Sequence, residues 1–245
     1  AQQRLWFLEQ LEPGNMAYHI PFAVRLRGDL DARALARSLQ EIVRRHEALR
    51  TTFRKGSEGR PIQVVHPHHP FQVPLADLRA LPPVVRAAEA LRQARLGIAR
   101  PFSLTRGPLF RVELLRVEDE QHALLLSMHH IVSDGWSLEV LVRELAALYT
   151  AFAAGLPSPL PELPLQYADF ARWQRQWLGG APLDGQLAYW RRQLEGVPLV
   201  FELPADRPRP AVQTYDGGTV MVHLPAPLAE RMQSLARAHR VTLFM

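Results

Sequence analysis

Apolar and polar positions alternate along "FAVRLR" (22–27), and a period of two puts every second side chain on one face of a strand within "AYHIPFAVRLR" (17–27). The period then changes. Over "GDLDARALARSLQEIVRRHEALR" (28–50), Leu35, Leu39, Ile42, Val43, His46 and Leu49 fall on one face at helical spacing, with an aspartate near the start, which predicts a helix. "TTFRKGSEGRPIQVV" (51–65) reads as a hairpin, two β-prone runs around Gly-Ser-Glu-Gly. Helical spacing returns at 84–96, and "LFRVELLRVEDEQHALLLSMHHI" (109–131) predicts a second hairpin with its turn at Glu118 to Gln121. In "WSLEVLVRELAALYTAFAAG" (136–155), Leu138, Leu141, Val142, Leu145, Leu148, Tyr149 and Phe152 form one apolar stripe, and Gly155 marks the stop.

The proline-rich "LPSPLPELP" (156–164) breaks regular structure and reads as a connector. Helical patterns follow in "YADFARWQRQWL" (167–178) and "LDGQLAYWRRQLEG" (183–196). "ELPADRPRPA" (202–211) reads as extended, "GGTVMVHLP" (217–225) as a strand, and "APLAERMQSLARAHR" (226–240) as a helix, before "VTLFM" opens a further element. Strands and helices mix without strict alternation. The expected class is α/β in the broad sense, an α+β mixed sheet with flanking helices.

Composition narrows the functional classes. Of 245 residues, 47% are apolar and 22% charged, proportions of a globular domain rather than a disordered chain. Cysteine is absent, which excludes disulfides and thiolate metal sites and fits a reducing, cytoplasmic setting. No apolar run reaches the roughly 18 residues of a membrane span, and the first residues lack a signal-peptide pattern. The net charge of +5 comes almost wholly from arginine, with Lys55 the only lysine. These arginines are interleaved with acids instead of clustered, so neither nucleic acid nor a membrane is an expected partner.

The densest chemistry lies in "SMHHIVSDGWS" (127–137), at the junction of the second hairpin and the long helix. Such strand-to-helix turns place side chains on a rigid scaffold. Ser133 or Asp134 is suited to cap the helix, and Gly135 allows close backbone approach. Strand alternation sends His129 and His130 to opposite faces, so the pair does not chelate a metal and one histidine at most is the chemical one. The plainer reading of the stretch is a helix cap with two packed histidines, the other a general base near neutral pH, and spacing alone does not choose between them.

Four stretches, in order, resemble the condensation domains of nonribosomal peptide synthetases: "AQQRLWFLEQL" (1–11), which lacks the family's serine-containing start, "RHEALRTTF" (45–53), "MHHIVSDGW" (128–136) and "YADFARW" (167–173). The resemblance implies a chloramphenicol acetyltransferase-like lobe over 1–175, with 176–245 as connector and beginning of a second, incomplete lobe. The family's last three motifs are not present, so the chain alone is expected to be inactive. The implied reaction is amide formation between a donor aminoacyl or peptidyl thioester and the amine of an acceptor aminoacyl thioester. Both ride on phosphopantetheine arms of upstream and downstream peptidyl carrier proteins, beside an adenylation domain, with no cofactor bound directly and no metal. His130 takes the family's catalytic position, and Asp134 and Gly135 complete the motif. Asp134 is expected to pair with an arginine, Arg45 or Arg50, while His129 and Trp136 support the turn.

Other features have plainer readings. His46 and the tryptophans Trp173, Trp177 and Trp190 are expected to pack, and "HPHHP" (66–70) is expected to be a surface loop. No nucleophile elbow or phosphate-binding glycine loop occurs. A cyclisation domain would carry paired aspartates in place of the histidines, and an epimerisation domain would separate Gly135 from the tryptophan. Wax-ester or diacylglycerol acyltransferases share His-His-x-x-x-Asp-Gly without the flanking motifs. A non-catalytic docking or scaffold lobe is the rival of a different class.

Overall fold

The computed structural model describes residues 2–57, 59–198, 200, 204–208, 210, 218 and 220–245. The chain divides into two compact units, Ala1–Val197 and Pro198–Met245. The lobe boundary expected at 175/176 falls within the helix Tyr167–Trp177.

The first unit is built on a four-stranded mixed sheet in the order β1-β6-β5-β4. Its strands are β1 (His19–Arg27), β4 (Leu75–Asp77), β5 (Phe110–Glu118) and β6 (Gln121–His129), with β4 parallel to β5 and the other pairs antiparallel. A separate hairpin joins β2 (Thr51–Lys55) to β3 (Pro61–Val65). The mixed sheet with flanking helices is the class expected, and both hairpins form where the β-prone runs place them.

Alternation along the strands makes two unlike faces. Phe110, Val112, Leu114, Leu124, Leu126 and Met128 point one way and are buried against α2 (Ala32–Arg45) and α4 (Gly135–Ala153), which contribute Leu35, Leu39, Ile42, Leu141 and Leu148. The β1 residues Ile20, Phe22, Val24 and Leu26 pack against the same core. The opposite face is partly covered by α3 (Pro83–Ala99), none of whose residues is buried. A second cluster, Trp6, Phe53, Phe102, Leu104, Leu109 and Ile131, ties α1 (Gln2–Leu11) to the end of the sheet.

Helix ends follow local chemistry. Asp31 caps α2 by accepting from the amides of Arg33 and Ala34, and Gly155 follows α4 with φ of +71°, a conformation that suits glycine. The helix expected over 28–50 is in fact broken. α2 ends at Arg45, His46 is extended (φ −97°, ψ 96°), and Glu47–Arg50 is a 3-10 turn. Gln166 takes up the main-chain groups freed there: its Nε2 donates to the Arg45 carbonyl (2.8 Å) and its Oε1 accepts from the Glu47 amide (3.1 Å).

The helix Tyr167–Trp177 (α5) packs on that 3-10 turn, and α6 spans Ala181–Gln193. The expectation that their tryptophans are packing anchors is not met. Trp173, Trp177 and Trp190 are each about half exposed, and on α5 the rings stack on one another, with Trp173 and Trp177 nearly parallel at 5.6 Å.

In the second unit, α7 (Ala226–Ala238) matches the predicted helix. Most of 211–219 lies outside the described residues, but Gly218 and 220–225 are in no strand, which corrects the strand expected at 217–225. Val220, Met221 and Val222 have the composition of a strand but make no ladder with another described strand. Among the described residues no helix is long and apolar enough to cross a membrane.

Candidate active site

β6 ends at His129, and residues 130–134 form the turn into α4. The two histidines are therefore placed by one strand end and still face different environments. The His129 ring is 1% exposed and sits among the rings of Tyr18, His19 and Phe102, at 6.1 to 6.5 Å between centroids. Its Nδ1 accepts from the Ile131 amide (3.0 Å). Burial, together with the neighbouring His19 and His130, lowers its pKa to about 4, so it stays neutral at neutral pH.

His130 is exposed. Its amide donates to the Tyr18 carbonyl (2.8 Å), which anchors the residue to the edge of β1. The ring Nδ1 lies 2.8 Å from the Ser133 carbonyl oxygen. A carbonyl only accepts, so the proton of the neutral ring is on Nδ1 and the lone pair is on Nε2. The turn thus fixes the tautomer of an accessible base.

That histidine lines a cavity of about 170 Å³ with Gln2, Leu5, Asp134, Ser137 and Tyr167. Gln2 Nε2 donates to the Ile131 carbonyl (2.8 Å) and its Oε1 accepts from Gln63 Nε2 (2.8 Å), so the start of α1 is tied to the turn and to β3. Burial and the negative charge of Asp134 raise the Tyr167 pKa, which keeps the phenol protonated. Neither Gln2 nor Tyr167 stands out by residue type in the sequence. Tyr167 does open the fourth family-like stretch, and Gln2 belongs to the first, and those positions are the signal that was there.

Asp134 is the N-cap of α4. Its Oδ1 accepts from the Ser137 amide (2.9 Å) and the Ser137 hydroxyl (2.6 Å), and these bonds lower its pKa. The Ser137 hydroxyl accepts in turn from the Asp134 amide (3.2 Å), closing a capping box. The expected pairing of Asp134 with Arg45 or Arg50 is therefore wrong. Arg45 is buried against Glu144, with Nε 3.5 Å from Oε2, and also reaches the Leu160 carbonyl (3.4 Å). His46 Nε2 is 2.8 Å from the same Glu144 oxygen. Arg50 pairs with Glu47 (3.2 Å) and donates to the His66 carbonyl. The reason is geometric. Where α2 packs on α4, Arg45 meets the middle of the helix, and Glu144 lies ten residues past the Asp134 cap, about 15 Å along the axis.

Gly135 begins α4 with no crowding atom within 4 Å of a built Cβ and without a positive φ, so neither strain nor packing calls for glycine there. Trp136 is 77% exposed beside it. The HPHHP loop is largely exposed, with His66 Nε2 2.6 Å from the Thr52 hydroxyl, and no cluster of metal-ligating residues occurs among the described residues.

The condensation-domain family profile matches residues 1–245. The chain is 51% identical to the chondramide synthase of Chondromyces crocatus over its whole length, which is 6% of that protein. Among solved structures, the X-domain from teicoplanin biosynthesis in complex with OxyB is 31% identical with a TM-score of 0.81, and 98% of this chain covers 52% of that one. The first condensation domain of the calcium-dependent antibiotic synthetase, in complex with a substrate analogue, is 26% identical with a TM-score of 0.77, and 99% of this chain covers 55% of it. The chain thus spans a small fraction of the synthetase and about half of each solved domain.

Proposed function

Because the chain belongs to the condensation-domain family, we propose that it contributes the histidine site of an amide-forming domain in a nonribosomal peptide synthetase. The acceptor amine nitrogen attacks the donor thioester carbonyl, the new C–N bond forms, the C–S bond breaks, and the thiol leaves on its phosphopantetheine arm. His130 Nε2 receives the ammonium proton or holds the amine in line. Asp134 acts at one remove, by capping α4 and so setting the turn that orients His130. The substrates arrive on upstream and downstream peptidyl carrier proteins beside an adenylation domain, in the cytoplasm, and residues 1–175 form the lobe that carries the motif, with 176–245 leading into the second.

The observation that carries this reading is the Nδ1 contact of His130 to the Ser133 carbonyl, which leaves Nε2 as a free base beside a cavity. Its test is single-turnover peptide formation in the parent synthetase with loaded carriers. His130→Ala should cut the rate by about 10²-fold or more with an unchanged melting temperature. The rival reading is a docking lobe, since the similar X-domain is held in complex with OxyB. Product formation at equal rates by the wild-type and His130→Ala synthetases would favour the rival.

A further inference from the structure

On the sheet face away from the α2/α4 core, a cavity of about 420 Å³ lies between β1, β6, β5 and the last turns of α3. Its volume is in the range of small-molecule sites. Strand register defines the floor as two rows. One is Pro21, Ser127 and Arg111; the next is Ala23, Leu125 and Glu113. Ala94, Gly97 and Ile98 of α3 form the roof.

Two polar groups in the first row lack the partners that their chemistry calls for. Ser127 is 8% exposed, and its hydroxyl has no hydrogen-bond partner among the described residues. Arg111 has no carboxylate within ion-pair distance among the described residues. Its guanidinium stacks on Phe102 at 4.0 Å and donates to the carbonyls of Arg100 (2.7 Å) and Pro101 (2.8 Å), and its remaining N–H groups are uncommitted. Arg100 lines the same cavity and adds a second positive charge, which with burial lowers the Arg111 pKa. An uncompensated guanidinium and an unpartnered hydroxyl, from paired register positions at one end of a largely apolar chamber, call for an anion with an apolar body.

We propose that this cavity binds a small monocarboxylate, its head held by Arg111 and Ser127 and its aliphatic or aromatic body lying between α3 and the sheet. Glu113, one row further along, disfavours a second negative charge at the other end. The proposal is independent of the amide-forming role, since it uses none of the residues around His130.

Sodium octanoate and 1-octanol, titrated separately into the full chain and followed by methyl NMR, separate the head group from the chain. Octanoate should bind about tenfold more tightly than octanol, shifting the Ala94, Ile98 and Leu125 methyls. Arg111→Gln should remove that preference and leave octanol binding in place, and Ser127→Ala should weaken octanoate severalfold. Gly97→Leu, whose new side chain fills the roof, should abolish both. Should Arg111→Gln fail to fold by circular dichroism, the other two variants still decide. No octanoate binding at millimolar concentration, equal affinity for the two probes, or full binding by Gly97→Leu would each overturn the proposal.

Discussion

The two faces of the β1-β6-β5 sheet come from the same strands and share little else. One, covered by α2 and α4, is closed and apolar from Phe22 to Met128. The other holds His19, Arg111, Glu113, Ser127 and His129 under a loosely seated α3. The difference shows how one alternating sequence serves two ends. Burial on the closed face holds the fold, which frees the residues between to carry polar groups. β6 then delivers His129 to the polar face and stops, so that the next residue, His130, belongs to neither.

The largest test of this contrast lies within the closed layer, at the cluster of Arg45, His46 and Glu144. Glu144→Ala would leave Arg45 buried without its carboxylate and should cost about 3–5 kcal/mol in denaturant melts. A loss below about 1 kcal/mol would mean that the cluster is solvated and the layer less closed than described. Leu124→Ala, at 0% exposure, should cost roughly 2–5 kcal/mol, and Leu125→Ala on the opposite face clearly less. Equal losses would erase the distinction between the faces.

Asp134→Ala should cost about 1 kcal/mol, the worth of an N-cap, and Asp134→Asn still less because asparagine also caps. Combined with Arg45→Ala, the loss from either should add, since the two residues share no partner. Strong coupling would restore the ion pair that the geometry rules out.

A pH slope sharpens the comparison from the side of the polar face. His129 has a folded pKa of about 4, below the ordinary histidine value near 6.5, so the unfolded chain binds the proton first. Stability is unaffected above about pH 6.5, falls as pH is lowered, and has lost the full contribution once pH passes about 4. His129→Asn should flatten that slope in part, with His19 and His122, whose pKa values are also lowered by burial, supplying the rest. An unchanged slope would mean that His129 is not buried neutral.

Much of this was legible in the chain. The hairpins, the stripe from Leu138 to Phe152 and the turn holding the histidines follow from periods of two and 3.6; the histidines do part company as alternation predicts, but because β6 stops at His129 and the turn carries His130 away. What was not legible depends on partners distant in sequence. His46 looks helical by spacing, but Gln166, 120 residues away, stabilises a break there. The second motif offers Arg45 and Arg50 to Asp134, and only the packing of α2 on α4 sets Arg45 against Glu144, while Arg50 pairs with Glu47. Gln2 has no chemistry of its own that marks it, and only the folded turn brings it to His130.

The acceptor that sets the His130 tautomer is a main-chain carbonyl, and that has a consequence for how the site tolerates change. There is no side chain at that acceptor to substitute. The side chain of Ser133 takes no part in that bond, so a replacement that fits its buried place and keeps the turn leaves the imidazole with the same proton on the same nitrogen. Only a change that rotates the peptide after Ser133 would alter it, so the site's chemical state is inherited through backbone shape and not through the identity of a neighbouring residue.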